Sequence, residues 1–265
     1  MVNLASECHE RIALARQLAI EAGDLLLSYF GRLEHIERKG SVDLVTEADK
    51  GAEALLSAAV SRAFPQDSFL GEEGGVSGAS EAAWSWVVDP LDGTTNFVHR
   101  VPHFAVSIGL LFEGEPYGGV IRHVCRGETY HASRGEGAWC EDRRLQVTEQ
   151  SVLSDCLLAT GFGYDRAQRA TELLVPVKRA MEQGRGLRRM GAAALDFVDV
   201  AQGLYDGFWE DDLSPWDVAA GVVLVQEAGG QVTAFGGRPV TIDGGSFIAT
   251  NGLIHEAMIA LVGRA

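Results

Sequence analysis

Trp86 to Phe97 read W-V-V-D-P-L-D-G-T-T-N-F. The apolar run Trp86, Val87 and Val88 predicts a buried strand. It stops at Asp89-Pro90, because proline cannot donate to a sheet ladder and biases Asp89 towards an extended backbone. Asp92-Gly93-Thr94-Thr95 then brings a second carboxylate, a flexible glycine and two hydroxyls, the composition of a helix start. Two carboxylates at a strand end, next to a helix N-terminus, can hold a hard cation beside an anion. The backbone N–H groups and the positive end of the helix dipole face that anion. The stretch reads as a phosphate-plus-metal site.

D-P and D-G are also common turn dipeptides, so this reading leans on two further acidic clusters. In Phe69-Leu70-Gly71-Glu72-Glu73-Gly74-Gly75 a short apolar segment runs into adjacent glutamates, then into glycines that release the chain into a loop. Adjacent carboxylates repel, and a pair at a strand end calls for solvent or a cation. Ser214-Pro215-Trp216-Asp217 precedes the apolar run Val218 to Ala228. Ser214 suits the N-cap, Pro215 the first helical position and Asp217 the third. There Asp217 either completes a capping box or points off the helix end into a site. Glu210 follows Gly207-Phe208-Trp209 in another strand-to-loop setting.

These segments resemble the inositol monophosphatases, members of the magnesium-dependent, lithium-sensitive phosphatase superfamily. The resemblance is carried by G-E-E at Gly71 to Glu73, by the long motif at Trp86 to Phe97, and by P-W-D-V-A-A-G at Pro215 to Gly221. D-L-V-T-E-A-D at Asp43 to Asp49 adds to it, and matching features run in family order from about Lys39 to Gly230. The resemblance implies an α/β (α+β) fold, a layered αβαβα sandwich of the inositol monophosphatase and fructose-1,6-bisphosphatase type. One such domain would fill 1–265, with an N-terminal subdomain to about 150 and an α/β subdomain from about 151. Periodicity by itself indicates only mixed α and β.

By the same resemblance, Glu72, Asp89 and the Leu91 carbonyl hold one Mg2+. Asp89 bridges to a second ion held also by Asp92 and Asp217, the arrangement of a two-metal phosphatase. One ion activates a water and the other stabilises the leaving alkoxide, so no histidine base is needed. Thr94 stands beside the water, and Glu72 orients or deprotonates it. Gly93 and Thr94 N–H groups hold phosphate oxygens. Glu210, Asp92, Asp217 and the backbone from Gly191 to Ala193 match the family's inositol contacts. Lys39 and Asp43 fall on the segment resembling a mobile loop. Hydrolysis of myo-inositol monophosphate is the implied activity. Fructose-1,6-bisphosphatase, histidinol-phosphatase and 3′-phosphoadenosine nucleotidase are the neighbouring alternatives. A regulatory role in a transcription complex is a different class, known for some bacterial relatives. The family habit also implies a homodimer.

Composition agrees. At 265 residues and 46% hydrophobic the chain can bury a large core. It has no stretch of about 18 uninterrupted apolar residues, which argues against a membrane span. M-V-N-L-A-S-E-C-H-E is polar and acidic, unlike a signal peptide, and Cys8, Cys125, Cys140 and Cys156 show no C-x-x-C spacing. A reduced, cytoplasmic setting is expected. The formal charge of −15 argues against nonspecific nucleic-acid binding, and the densest basic patch, Arg185 to Arg189, is short. An acidic site for an anionic ester makes sense only with bound cations to reverse the local sign.

Local patterns predict a helix over Ala5 to Phe30 ended by Gly31. A second, from Thr46 to Phe64, has a Thr46-x-x-Asp49 capping box and Pro65 beyond it. A strand meander is expected from Ala105 to Val147, and α/β alternation after about residue 150. His99 and His103 would share a helical face, but Pro102 between them breaks it; both read as packing or surface residues.

Overall fold

The computed structural model describes residues 4–33, 36–38 and 44–263; Lys39 and Asp43 lie outside them. Helix α1 (Leu4–Tyr29) buries Cys8, Ile12, Ala15, Ala19, Ala22 and Leu26, one stripe at helical spacing. Gly31 takes up φ +76 just beyond its end, a left-handed conformation that suits glycine. A short antiparallel pair, β1 (Ile36–Arg38) and β2 (Leu44–Thr46), leads into α2 (Glu47–Ala63). Thr46 and Asp49 form the expected capping box.

The next elements build an eight-stranded sheet. They are β3 (Ser68–Gly71), β4 (Gly75–Gly78), β5 (Trp84–Asp92), helix α3 (Thr94–Val98), then the meander β6 (Ala105–Phe112), β7 (Glu115–His123), β8 (Glu128–Ser133), β9 (Gly137–Cys140) and β10 (Arg143–Arg144). The strand order is β10-β9-β8-β7-β6-β5-β3-β4. Strand β5 does not stop at Asp89-Pro90 as the sequence suggested; it continues to Asp92. The register against β6 slips between Asp89 (opposite Ser107) and Asp92 (opposite Ala105). A bulge thus absorbs the residue that cannot donate and re-aims the strand end.

The second half supplies β11 (Leu157–Thr160), α4 (Arg166–Gln183), β12 (Gly186–Arg188), α5 (Ala193–Ala201), β13 (Gly207–Leu213), α6 (Pro215–Glu227), β14 (Gln231–Ala234), β15 (Gly245–Thr250) and α7 (His255–Val262). Its five-stranded sheet runs β12-β11-β13-β15-β14. The layers stack as α1/α2, large sheet, α5/α6, small sheet, α4/α7. This is the αβαβα sandwich. One apolar cluster joins α5 and α6 to both sheets, including Ile121, Phe197, Val222 and Phe247. A Cβ on Gly109 or Gly119 would come within 2.4 Å of the Ala219 side chain or 2.6 Å of the Ala220 backbone. The central helix therefore sits almost on the large sheet, and this fixes where its first turn points.

Arg11, unremarked in the sequence, anchors α1. Its guanidinium donates Nε and Nη2 to the Asp67 carboxylate, both at 2.8 Å, and stacks 4.4 Å from the Phe64 ring. Trp86 Nε1 donates to the same carboxylate at 2.9 Å. The pair is almost fully buried, at 5% and 2% side-chain exposure. Removing one partner from such a pair leaves an uncompensated buried charge and costs about 3–5 kcal/mol. Arg11→Ala is expected to lose that much stability in urea unfolding while the circular dichroism of the folded fraction is unchanged. A loss below about 1 kcal/mol would contradict the anchoring role.

Candidate active site

Four chain segments meet at one end of the two sheets. The bulged end of β5 brings Asp89, Leu91 and Asp92, which are 2%, 1% and 7% exposed. Glu72 follows the end of β3, Asp217 sits on the first turn of α6, and Glu210 lies 8% exposed on β13. All of these line one cavity of about 610 Å³, with Gly93 and Thr94 at the start of α3 and Gly191 and Ala193 at the start of α5. Every site residue expected from the sequence thus faces the same space. Carboxylate oxygens of Asp89, Asp92 and Asp217 lie within 4.8 Å of one another.

Local hydrogen bonds hold this arrangement. Asp89 Oδ1 accepts from the Leu91 N–H at 2.9 Å. The two oxygens of Asp92 accept from Ala193 N at 3.1 Å and Ala194 N at 3.0 Å. The Ala193 N–H is therefore engaged by Asp92 and is not free for a substrate. Asp217 Oδ2 accepts from Ser214 N at 2.7 Å, so the residue caps its own helix and stands in the acidic cluster as well. Both readings of Asp217 hold at once, since each carboxylate oxygen has more than one acceptor position. The Thr94 hydroxyl donates to the Leu91 carbonyl at 3.0 Å and lies 3.3 Å from Asp49 Oδ1. Helix α3 is a single turn with Gly93 at its cap in the left-handed region, φ +89.

Burial sets the electrostatics. It pushes Asp89 well above the usual carboxylate range, and the charges of Glu72, Asp92 and Asp217 push it further. Burial raises Asp92 to about 7, against the lowering effect of the Ala194 and Ala193 N–H groups. It also raises Asp217 to about 7, with Asp92 adding repulsion. Glu210 rises to about 8 through burial, with Arg189 opposing and Asp217 reinforcing the shift. The donors are all oxygens, buried or half-buried and mutually repelling. Such a set suits a hard cation, which would replace protons in neutralising it. These residues fit a metal site.

Several pocket features escaped the sequence reading. Asp49, read only as a capping residue, is 1% exposed, titrates at about 6 because of burial, and reaches Thr94. Arg189, read as part of a surface patch, lines the pocket with its guanidinium 5.8 Å from the Phe162 ring. Arg166 joins it at the wall. Asn96 Nδ2 donates to the His103 carbonyl at 2.8 Å and the Met190 carbonyl at 2.9 Å, tying α3 to the segment before α5. Asp212, also at the wall, has φ +66 within the irregular end of β13. The T-E-A-D and T-T-N-F motifs were the available signals for Asp49 and Asn96. No local pattern marked the arginines. His99 and His103 are not cavity-lining. Helix α3 ends at Val98 and His103 is buried with its ring against His123, consistent with a packing role.

Residues 7–265 match the inositol monophosphatase family. An inositol-1-monophosphatase of Synechocystis sp. is 40% identical over 254 residues, covering 96% of this chain and 88% of that protein. The Nus factor SuhB of Pseudomonas aeruginosa is 42% identical over 255 residues, covering 94% of each. Among solved structures, the inositol monophosphatase of Anabaena (Nostoc) sp. PCC 7120 has a TM-score of 0.88 at 40% identity, over 97% of this chain and 96% of that one. The likeness runs from the first helix through every strand end that feeds the acidic pocket. On it, the chain belongs to the inositol monophosphatase family and is a phosphatase.

Proposed function

We propose that this phosphatase hydrolyses myo-inositol monophosphate with Mg2+ as its metal. The observation that carries the reading is the meeting of Glu72, Asp89, Asp92 and Asp217 with the separate carboxyl of Glu210 in one cavity. Glu72, Asp89 and the Leu91 carbonyl would hold one ion, and Asp89, Asp92 and Asp217 another. Bound there, Mg2+ supplies charge to neutralise the phosphate and acidifies a water. The protein's own groups do the rest. Gly93 and Thr94 N–H groups donate to phosphate oxygens, orienting phosphorus at the mouth of the acidic cluster. A water between the Thr94 hydroxyl and the Glu72 carboxylate attacks phosphorus in line and gives its proton to Glu72, while the ester P–O bond opposite breaks and the departing inositol oxygen takes a proton from solvent. Glu210 and Asp92 accept from ring hydroxyls, with Arg189 beside Glu210 favouring its ionised, accepting form.

Chemistry and specificity separate in this scheme, and the separation is measurable. Glu210→Gln removes a charged acceptor, worth about 1.5–3 kcal/mol per hydrogen bond. It should cost inositol phosphate roughly ten- to a hundred-fold in kcat/KM. p-Nitrophenyl phosphate has no hydroxyl for that carboxylate and should be spared, whereas Glu72→Gln should harm both substrates. Equal losses for the two esters in the Glu210 variant would place that residue in the catalytic machinery or the fold. A phosphate-release panel that includes fructose 1,6-bisphosphate, histidinol phosphate and phosphoadenosine phosphate tests the choice of inositol.

The same reading includes lithium sensitivity, a cytoplasmic setting and a homodimer. All four cysteines are free thiols, and no helix among the described residues is long and apolar enough to cross a membrane. Two-fold dimers are the commonest closed assemblies. Light scattering should give twice the 28.4 kDa chain mass at micromolar concentration; the monomer mass would refute the dimer. The Nus factor name of one relative supports a second, protein-binding reading. Specific capture of a transcription complex from cell extract, with and without Mg2+, would establish it alongside the enzyme.

A further inference from the structure

Glu72 stands on a tight turn: β3 ends at Gly71, and Glu72-Glu73-Gly74 turns the chain into β4. What fixes this turn comes from another element. Glu53, on α2, is 7% exposed and reaches across to the turn. Its Oε2 accepts from the Glu73 N–H at 2.8 Å and its Oε1 from the Gly74 N–H at 2.6 Å. Two successive backbone donors are thus gripped by one carboxyl group. Hydrogen bonds of this kind are among the stronger ones when the acceptor is ionised.

The glycines of the G-E-E-G frame have a matching explanation. The sequence suggests that Gly74 and Gly75 release the chain into a loop, and Gly75 does take φ +69, but Gly71 and Gly74 are not among the residues with positive φ. A Cβ on Gly71 would lie 2.4 Å from Glu53 Oε2, and one on Gly74 would lie 2.7 Å from Oε1. Both positions are bare so that the Glu53 carboxyl can lie against the backbone on either side of Glu72 and Glu73. The Glu72 N–H donates to the Val88 carbonyl of β5 at 3.3 Å, next to Asp89. The turn is therefore pinned on one side by β5 and on the other by α2.

We propose that Glu53 is a positioning residue for Glu72: by holding the two N–H groups after it, Glu53 sets where the Glu72 carboxylate stands relative to Asp89. The inference rests on reading Glu72 as a metal ligand. Glu53 touches neither metal nor substrate; it acts through the turn. Groups that orient metal ligands in this way change metal affinity by about 10- to 100-fold when altered.

The test is Mg2+ binding by calorimetry on the full chain, with Mn2+ as a second probe, beside melting temperature in chelator. Glu53→Gln keeps the size of the side chain but turns an NH2 towards one of the two N–H donors. Gly74→Ala presses a methyl against the same carboxyl from the other side. Both folded variants should bind Mg2+ at least about ten-fold more weakly. Their Mg2+ requirement for half-maximal phosphate release should rise in step, with kcat largely restored at saturating Mg2+. A role in stability alone would lower the melting temperature and leave Mg2+ affinity unchanged. Affinity within two-fold of wild type in either folded variant overturns the proposal. If neither variant folds, amide exchange in the metal-free wild type decides: Glu73 and Gly74 must be protected, and exchange at the rate of an open loop overturns it. Failure of the wild type to bind Mg2+ or Mn2+ would instead overturn the metal reading of Glu72 and, with it, this inference.

Discussion

Asp89→Asn lowers kcat/KM by at least about 1,000-fold, or roughly 4 kcal/mol of transition-state stabilisation, and raises the melting temperature of the metal-free protein. The two effects have one cause. Asp89 is buried, and its nearest charged neighbours are three further carboxyl groups. In the absence of metal, its ionised form is opposed by burial and by Glu72, Asp92 and Asp217. An asparagine keeps the oxygen that accepts from the Leu91 N–H but removes the charge, so the empty site relaxes while the fold is kept. With metal present the sign reverses, because the charge that destabilised the empty pocket is what would hold the ion and, through it, the phosphate. Asp217→Asn is less clean, since Asp217 also caps α6 through the Ser214 N–H. Phosphate release, circular dichroism and melting in chelator test the variant together. Near-normal turnover in folded protein would sink the metal assignment. A lower metal-free melting temperature would show that Asp89 carries a structural role that outweighs the relief of repulsion.

How much of this was legible in the sequence depends on whether the signal is local. The helices announced themselves: Thr46-x-x-Asp49 is a capping box in both sequence and structure, and Ser214-Pro215-Trp216-Asp217 opens α6 as read. The meander expected from Ala105 was legible through its turns at Glu113-Gly114 and Arg134 to Gly137, and it forms as β6 to β10. The end of β5 was misjudged because the effect of Pro90 depends on its partner strand. A bulge opposite Ala105 to Ser107 lets the strand pass a residue that cannot donate, and no rule within β5 reveals a bulge. The acidic residues of the site were found because motifs carried them. Arg189 and Arg166 were not, since an arginine on a basic surface patch and one facing a cavity look alike until the chain is folded. Glu53 is the extreme case. It is one acidic residue on a helix rich in alanine, and its meaning comes entirely from two N–H groups twenty residues away.

The packing explains why the site sits where it does. Asp217 reaches the β5 carboxylates because α6 lies almost against the large sheet, over Gly109 and Gly119. Asp92 in turn accepts from the start of α5, so the strand that bears Asp89 and Asp92 is hydrogen-bonded to the helix layer that separates the sheets. Asn96 adds a third tie, from α3 to the carbonyl of Met190. Carboxylates that follow β3 or stand on β5, β13 and α6 are thus brought to one cavity.

That repulsion gives the metal-free protein a characteristic pH dependence. Asp92 and Asp217 titrate at about 7 and Glu210 at about 8 in the folded state, against ordinary carboxyl values near 4 in the unfolded chain. A carboxyl raised on folding contributes stability that is fully present below its unfolded pKa and is lost as pH rises through its folded pKa. Buried His103 and His123 and half-buried His131 act in the opposite sense, since desolvation lowers each to about 4. Their contribution is lost as pH falls below about 6.5, so it is already complete above that value. Between pH 6.5 and 8.5 the carboxyls dominate, and the metal-free protein should lose on the order of 3 kcal/mol of stability. Magnesium should cancel the share of this slope that Asp92 and Asp217 carry, because binding requires their ionised carboxylates and releases their protons. The rise in melting temperature on adding Mg2+ should therefore be larger at pH 8.5 than at pH 6.5. The binding heat near pH 7 should also depend on the ionisation enthalpy of the buffer. Unfolding in chelator at fixed ionic strength, repeated with saturating Mg2+, measures both slopes. A metal-free stability that is flat or rising across this window, or a Mg2+ increment that does not grow with pH, would mean that Asp92 and Asp217 are not the proton-linked ligands of the site.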